Sequence, residues 1–230
     1  MRFDLHIHSN YSSDSGLSID DILKQAVKKG LDGIAICDHN TVAGSLHARN
    51  RALELSLPLL VLPAVEVSTT KGHLLVLGIR ENIQPNLTPE ETIRIAREKG
   101  GVVIAAHPFK IRSIGSVDDL DVDAIETFNS RCIFGENTKA KEMARFLGKP
   151  EIGGSDSHVL STIGLGFTEI DADSGEEAVL SAIREGKTRP GGQVAPLYVV
   201  LIQVVRGFFR RLNRLGKEFH SKIFYKNEPL

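Results

Sequence analysis

Over the first 190 residues, short apolar runs alternate with stretches whose apolar positions recur every three or four residues. Such alternation predicts βα units and a parallel sheet or barrel. Strands are expected over residues 1–7, 32–37, within 57–67, and over 73–79, 102–106, 124–128, 151–154 and 164–170. The intervening helices carry start and stop signals of their own. Ser18 before Ile19-Asp20-Asp21 reads as an N-cap, with the helix ending near Gly30. A second helix is expected over 42–55. Thr88-Pro89-Glu90-Glu91 combines a capping residue, a first-turn proline and acids at the positive end of the helix dipole, and Gly100-Gly101 stops that helix. A last helix runs over 175–185 to Gly186.

Residues 191–230 differ in character. Leu197, Leu201, Val204, Phe208, Leu212 and Leu215 recur at steps of three or four, and Arg206, Arg210, Arg211, Arg214 and Lys217 make the stretch basic. A main domain over 1–190 with an amphipathic, basic helical tail over 191–230 is therefore expected. The tail either packs on the domain, pairs two copies as a homodimer, or meets a membrane surface or an acidic partner.

Composition narrows the functional classes. The 230 residues contain 28 Lys and Arg against 29 Asp and Glu, with 6% aromatics and no Trp. Binding to long nucleic acid is not expected, since it needs a basic excess and stacking rings. Cys37 and Cys132 make neither a disulfide framework nor a Cys-x-x-Cys zinc pattern, and Cys37 reads as a buried thiol. The polar start Met1-Arg2-Phe3-Asp4 is unlike a signal peptide. No apolar run reaches the ~18–20 residues of a membrane span, so a cytoplasmic protein is expected. What remains is eight histidines, and His is the commonest metal ligand.

Five of them sit at expected strand ends. In an extended strand His6 and His8 face the same way and can present two imidazoles to one ion. The next strands end in Asp38-His39, in Glu66, in His107-Pro108 and in Ser155-Asp156-Ser157-His158. In a barrel of this kind, strand ends are where active sites are built.

This set, in this order, resembles the PHP family, named for polymerase and histidinol phosphatase, over roughly residues 1–190. The loop Asn10-Tyr11-Ser12-Ser13-Asp14-Ser15-Gly16 is similar to that of its small stand-alone phosphoesterases. The resemblance implies an α/β fold, a distorted seven-stranded (β/α) barrel of TIM-like type, here with a C-terminal helical extension. It also implies two or three divalent metal ions. On that pattern His6, His8, Glu66 and Asp156 hold one ion, Glu66 and His107 a second, and Asp14, His39 and His158 a third. Asn129 stands where some relatives have His and is a weak ligand. Mixed imidazole and carboxylate donors suit zinc, manganese or iron.

The implied activity is metal-dependent phosphoester hydrolysis of a small phosphorylated metabolite, a nucleotide or a sugar phosphate, by attack of a metal-bound hydroxide on phosphorus. His158, His39 or a metal-bound water can protonate the leaving group. Lys110 and Arg131, with Arg112 as a weaker candidate, lie on loops at the same face and suit phosphate. Asp38 is expected to orient a neighbouring imidazole, and Asp4 to support one or to cap the barrel. His73, at the wrong end of a parallel strand, reads as structural or supporting, and His47 and His220 as solvated. Two rival readings stay open. One is a nuclease acting on short oligonucleotides. The other is a non-catalytic metal-binding module that recruits a partner through its tail.

Overall fold

The computed structural model describes residues 1–111, 113–203, 205 and 209. Arg112, His220 and most of the expected tail lie outside the described residues. In chain order the first half runs β1 (Arg2–Ile7), α1 (Ile19–Lys28), β2 (Gly33–Ile36), α2 (Ala43–Glu54), β3 (Leu60–Leu62), β4 (Ala64–Ser68) and β5 (His73–Leu77). The second half runs α3 (Pro89–Glu98), β6 (Val102–Ala105), β7 (Ala124–Asn129), α4 (Glu136–Leu147), β8 (Glu151–Gly154), a 3-10 turn (Leu160–Thr162), β9 (Gly166–Ile170), α5 (Glu176–Arg184) and β10 (Thr188–Gly192). Residues 197–203 are helical again. No helix among the described residues is long and apolar enough to cross a membrane.

The expected seven-stranded barrel is not what these strands build. They form two mixed five-stranded sheets, ordered β10-β9-β1-β2-β3 and β4-β5-β6-β7-β8. The parallel pairs β1–β2, β2–β3, β6–β7 and β7–β8 follow the βα alternation, whereas β4–β5, β5–β6, β1–β9 and β9–β10 run antiparallel. The sheets approach each other through isolated bridges at one rim, His39 with Glu66 and Ile7 with Ser157. Local chemistry explains why the ladders do not join. Pro63, which lacks an N–H, separates β3 from β4. Between β1 and β8 a side chain enters the ladder instead, with Asp4 Oδ1 accepting the Ser155 N–H at 2.9 Å.

The faces that the two sheets share form one core. Leu5, Ala35 and Leu62 from the first sheet meet Leu75, Ile104 and Ile152 from the second, all fully buried. Burying each large aliphatic side chain contributes about 1.5–3 kcal/mol; α1 and α2 cover the outer face of the first sheet and α3 and α4 that of the second, while α5 packs Val179, Leu180 and Ile183 into the shared core. Helix starts follow the sequence signals. Ser18 Oγ accepts from Asp21 N at 3.2 Å, and Thr88 with Glu91 forms a reciprocal capping box. Cys37 and Cys132 are buried free thiols.

Two elements escaped the sequence reading. Of α4, only Ala140, Met143 and Ala144 are buried, a sparse apolar stripe at helical spacing, and its N-cap Gly135 makes no side-chain cap, so no start signal marks it. The Thr-Arg-Pro-Gly-Gly stretch of β10 carries no strand signal, yet it forms an edge strand, where proline and glycine are tolerated.

Candidate metal centre

The rim where the sheets approach gathers the polar strand ends. His6 is on β1 and His8 one residue beyond it, both fully buried, with their Nε2 atoms 3.2 Å apart. Glu66, on β4, is also buried and stands among them. Its Oε2 lies 3.3 Å from His8 Nε2 and 3.1 Å from His39 Nδ1, and its Oε1 lies 3.1 Å from His107 Nε2. Asp156 Oδ1 is 3.5 Å from His8 Nε2 and 3.9 Å from His6 Nε2. Asp14 Oδ2 sits 3.3 Å from His39 Nε2 and 3.5 Å from His158 Nε2. All eight residues that the sequence pattern picked out are thus brought together.

Backbone shape helps to aim them. Asn40, His107 and Asp156 have φ of 60°, 29° and 52°, a region that non-glycine residues rarely occupy. Each falls just after β2, β6 or β8, where the chain must turn a side chain back over the strand ends, and such strain gathers at functional sites. Gly154 allows the close approach of β8 to β1, since a Cβ there would stand 2.5 Å from His6 Cβ.

The remaining candidates take more varied places. Lys110 Nζ and Arg131 Nη1 both contact Asp156, at 2.5 and 2.9 Å, and Arg131 Nη1 also lies 3.1 Å from His158 Nδ1. Asn129 donates to Glu126 Oε2 at 3.1 Å and lies 3.4 Å from Asp156 Oδ2. Asp38 reaches an imidazole only at one remove. It accepts from Ser9 N, Ser9 Oγ and Ser12 Oγ, and Ser12 Oγ is 3.2 Å from His8 Nδ1. Asp4 accepts from the backbone N–H groups of Ser155 and Gly164 at 2.9 and 2.8 Å, tying β1 to β8 and the following turn. His47 pairs with Tyr11 at the surface, Tyr11 Oη to His47 Nδ1 being 3.1 Å.

Two further side chains stand in the cluster, His73, which the sequence reads as structural or supporting, and Glu126, to which it gives no role. His73 Nδ1 is 3.0 Å from Glu66 Oε1. It arrives there because β5 runs antiparallel to β4, with Ser68 opposite His73, so the start of β5 shares a rim with the end of β4. The four residues 69–72, ending in Gly72 between two apolar runs, were the available hairpin signal. Glu126, buried on β7, lies 2.9 Å from His6 Nδ1 and accepts the His107 N–H at 2.8 Å. No short motif marks it.

The electrostatics follow from this crowding. Burial opposes the charge of Glu66, yet His73, His39, His107 and His6 hold its carboxyl well below the usual range. Burial likewise opposes Asp156, and Arg131 and Lys110 pull it well below. Burial, then Arg131 and His8, push His158 down to about 3. Burial alone raises Asp4, away from these cations, to about 6.

The donor set fits divalent metal. Four groups each place their donor atoms within 4.8 Å of one another: His8, Asp14, His39 and His158; His6, Glu66 and His107; His6, His8 and Asp156; His39, Glu66 and His73. His107 Nδ1 is buried with no hydrogen-bond partner among the described residues. Two imidazole nitrogens 3.2 Å apart and facing buried carboxylates suit a shared cation.

Comparison with known proteins places the same residues in context. The PHP domain model matches residues 4–105, and the PHP-associated model matches residues 134–188. An uncharacterized protein of Methanocaldococcus jannaschii is 37% identical over 143 residues, which cover 56% of this chain and 82% of that protein. A 5'-3' exoribonuclease of Haemophilus influenzae is 38% identical over 108 residues, covering 45% of this chain and 38% of that one. A solved two-domain protein from Bacteroides vulgatus, containing a predicted PHP-like metal-dependent phosphoesterase, aligns with a TM-score of 0.71 at 17% identity. The alignment covers 84% of this chain and 65% of that one, and at such identity it speaks for the fold alone.

Proposed function

The chain belongs to the PHP domain family, and from that premise we propose that it hydrolyses the phosphoester of a small phosphorylated metabolite, a nucleotide or a sugar phosphate. The observation that carries this reading is the convergence of His6, His8, Asp14, His39, Glu66, His107, Asp156 and His158 on one rim. Two or three divalent ions (zinc, manganese or iron) are the cofactors it implies. Bound there, such ions would lower the pKa of water to give a nucleophile near neutral pH and would neutralise phosphoryl oxygens.

The chain's own residues divide the remaining work. Glu66, touched by His8, His39, His73 and His107, is the shared carboxylate between donor groups, and His73 joins the expected ligands. Glu126 holds His6 by its Nδ1, which leaves Nε2 to face the cluster. Lys110 and Arg131 neutralise Asp156 and stand ready for the oxygens of a phosphoryl group, Arg131 as a fork and Lys110 as a point charge. His39 and His158 both belong to donor groups. An imidazole nitrogen that holds an ion has no proton to give, so in this reading the leaving group takes its proton from water. In this reading the catalytic unit expected over residues 1–190 extends through β10 to Gly192, and the chain beyond it is an appendage.

A second reading, a nuclease cutting short oligonucleotides, is favoured by the exoribonuclease relative. The balance of 28 basic against 29 acidic residues favours the small substrate. Turnover of a panel of nucleotides, sugar phosphates and short oligonucleotides by metal-loaded protein separates the two. Hydrolysis of a small ester that stops with chelator and in His6→Ala is expected. Turnover that survives both would sink the metal mechanism, and activity confined to oligonucleotides would favour the nuclease.

A further inference from the structure

The helix that follows β10 has two faces of unlike chemistry. Its inner side is taken by the domain. Ala195, just ahead of it, is buried and donates its N–H to Ser130 O at 2.7 Å, and the buried Gln203 places Nε2 3.4 Å from Thr162 Oγ1. Its outer side is apolar. Residues 197–203, 205 and 209 are helical, and Leu197, Leu201, Val205 and Phe209 recur every fourth position with Tyr198 and Ile202 beside them. That spacing puts them on one face. Tyr198 is 67% exposed and Leu201 55%, and the other four are exposed as well.

Charge decides what covers this face. From 206 to 217 the sequence contains Arg206, Arg210, Arg211, Arg214 and Lys217 and no acid, in a chain whose net charge is −1. A second copy would bring the same basic sequence next to the same apolar stripe, so like charges oppose self-pairing. An anionic lipid surface supplies both parts of the complement, negative headgroups for the cations and an acyl boundary for the apolar stripe. The stripe is too short to span a bilayer. We propose that the segment beginning at residue 197 lies in the surface of an anionic membrane, apolar face inward, and tethers the domain there.

Flotation of the full chain with vesicles tests this, using phosphatidylcholine alone or mixed with phosphatidylglycerol. The expected result is at least about tenfold more protein on the anionic vesicles, reversed by high salt. Two double variants, Leu201→Glu with Val205→Glu and Arg210→Glu with Arg211→Glu, should each cut that binding about tenfold or more. Circular dichroism and melting temperature should stay as in the unaltered chain, because Leu201 and Val205 are exposed and the arginines follow them in a stretch of charged sequence. Equal binding to both vesicle types overturns the proposal, as does binding to neither. So does a dimer in sedimentation velocity that the apolar variant dissociates while the vesicles stay bare. None of these outcomes depends on phosphoester turnover.

Discussion

At the scale of single residues, the cluster rests on side chains that hold its donors as much as on the donors themselves. Glu126 grips His6 Nδ1 and the His107 N–H, so it fixes the orientation of one imidazole and the position of another. Glu126→Gln should keep the fold by circular dichroism and weaken divalent metal binding by about 10–100-fold, the usual cost of losing such a support. Unchanged affinity in a metal titration would show that His6 is held by other means. The candidate donors were legible because His, Asp or Glu ends most of the expected strands, a joint pattern more telling than a lone His-x-His. Glu126 was not, since a buried carboxylate inside Ala-Ile-Glu-Thr-Phe declares itself only when its partners, 19 and 120 residues away, fold against it. Asp38 shows the same limit from the other side. A supporting role was legible, but its route through Ser12 was not.

At the scale of elements, alternation revealed the parallel pairs and misled about the rest. Periodicity reports which faces are buried, not the direction of a strand, and so the β4–β5 hairpin that delivers His73 was invisible to it. Nor does it report the gap between the sheets, which Asp4 spans with hydrogen bonds to Ser155 and Gly164 in place of a continuous ladder. The approach of β8 to β1 depends on the missing side chain of Gly154. In Gly154→Ala the new Cβ would meet His6 Cβ at 2.5 Å and His6 N at 2.9 Å. Overpacking of that kind costs roughly 1–3 kcal/mol, so the melting temperature of the metal-free protein should fall by about 2–12 °C. An unchanged melting temperature would mean that the two strands have room to part. The capped helices α1 and α3 were readable to within a residue or two, because Ser18 and Thr88 act within one turn of themselves.

At the scale of the whole molecule, a net charge of −1 conceals two regions of opposite character. One is a buried rim whose carboxylates, Glu66, Asp156 and Asp14, are matched by six imidazoles, and the other is the basic stretch from Arg206 to Lys217. The resemblance over residues 1–190 pointed to side chains that the fold does gather at one rim, because they are local to strand ends. It misled about the barrel, because the pairing of the strands into two sheets is set by contacts far apart in sequence such as Asp4 with Ser155. The central claim is that this rim holds divalent ions on which phosphoester hydrolysis depends. It is tested most directly by counting divalent metal per chain in purified protein before and after chelation, with turnover of a small phosphoester followed on the same samples. The account predicts two or three ions per chain, with turnover lost as they are stripped and regained when they are restored. Full turnover by protein carrying no divalent metal would contradict it.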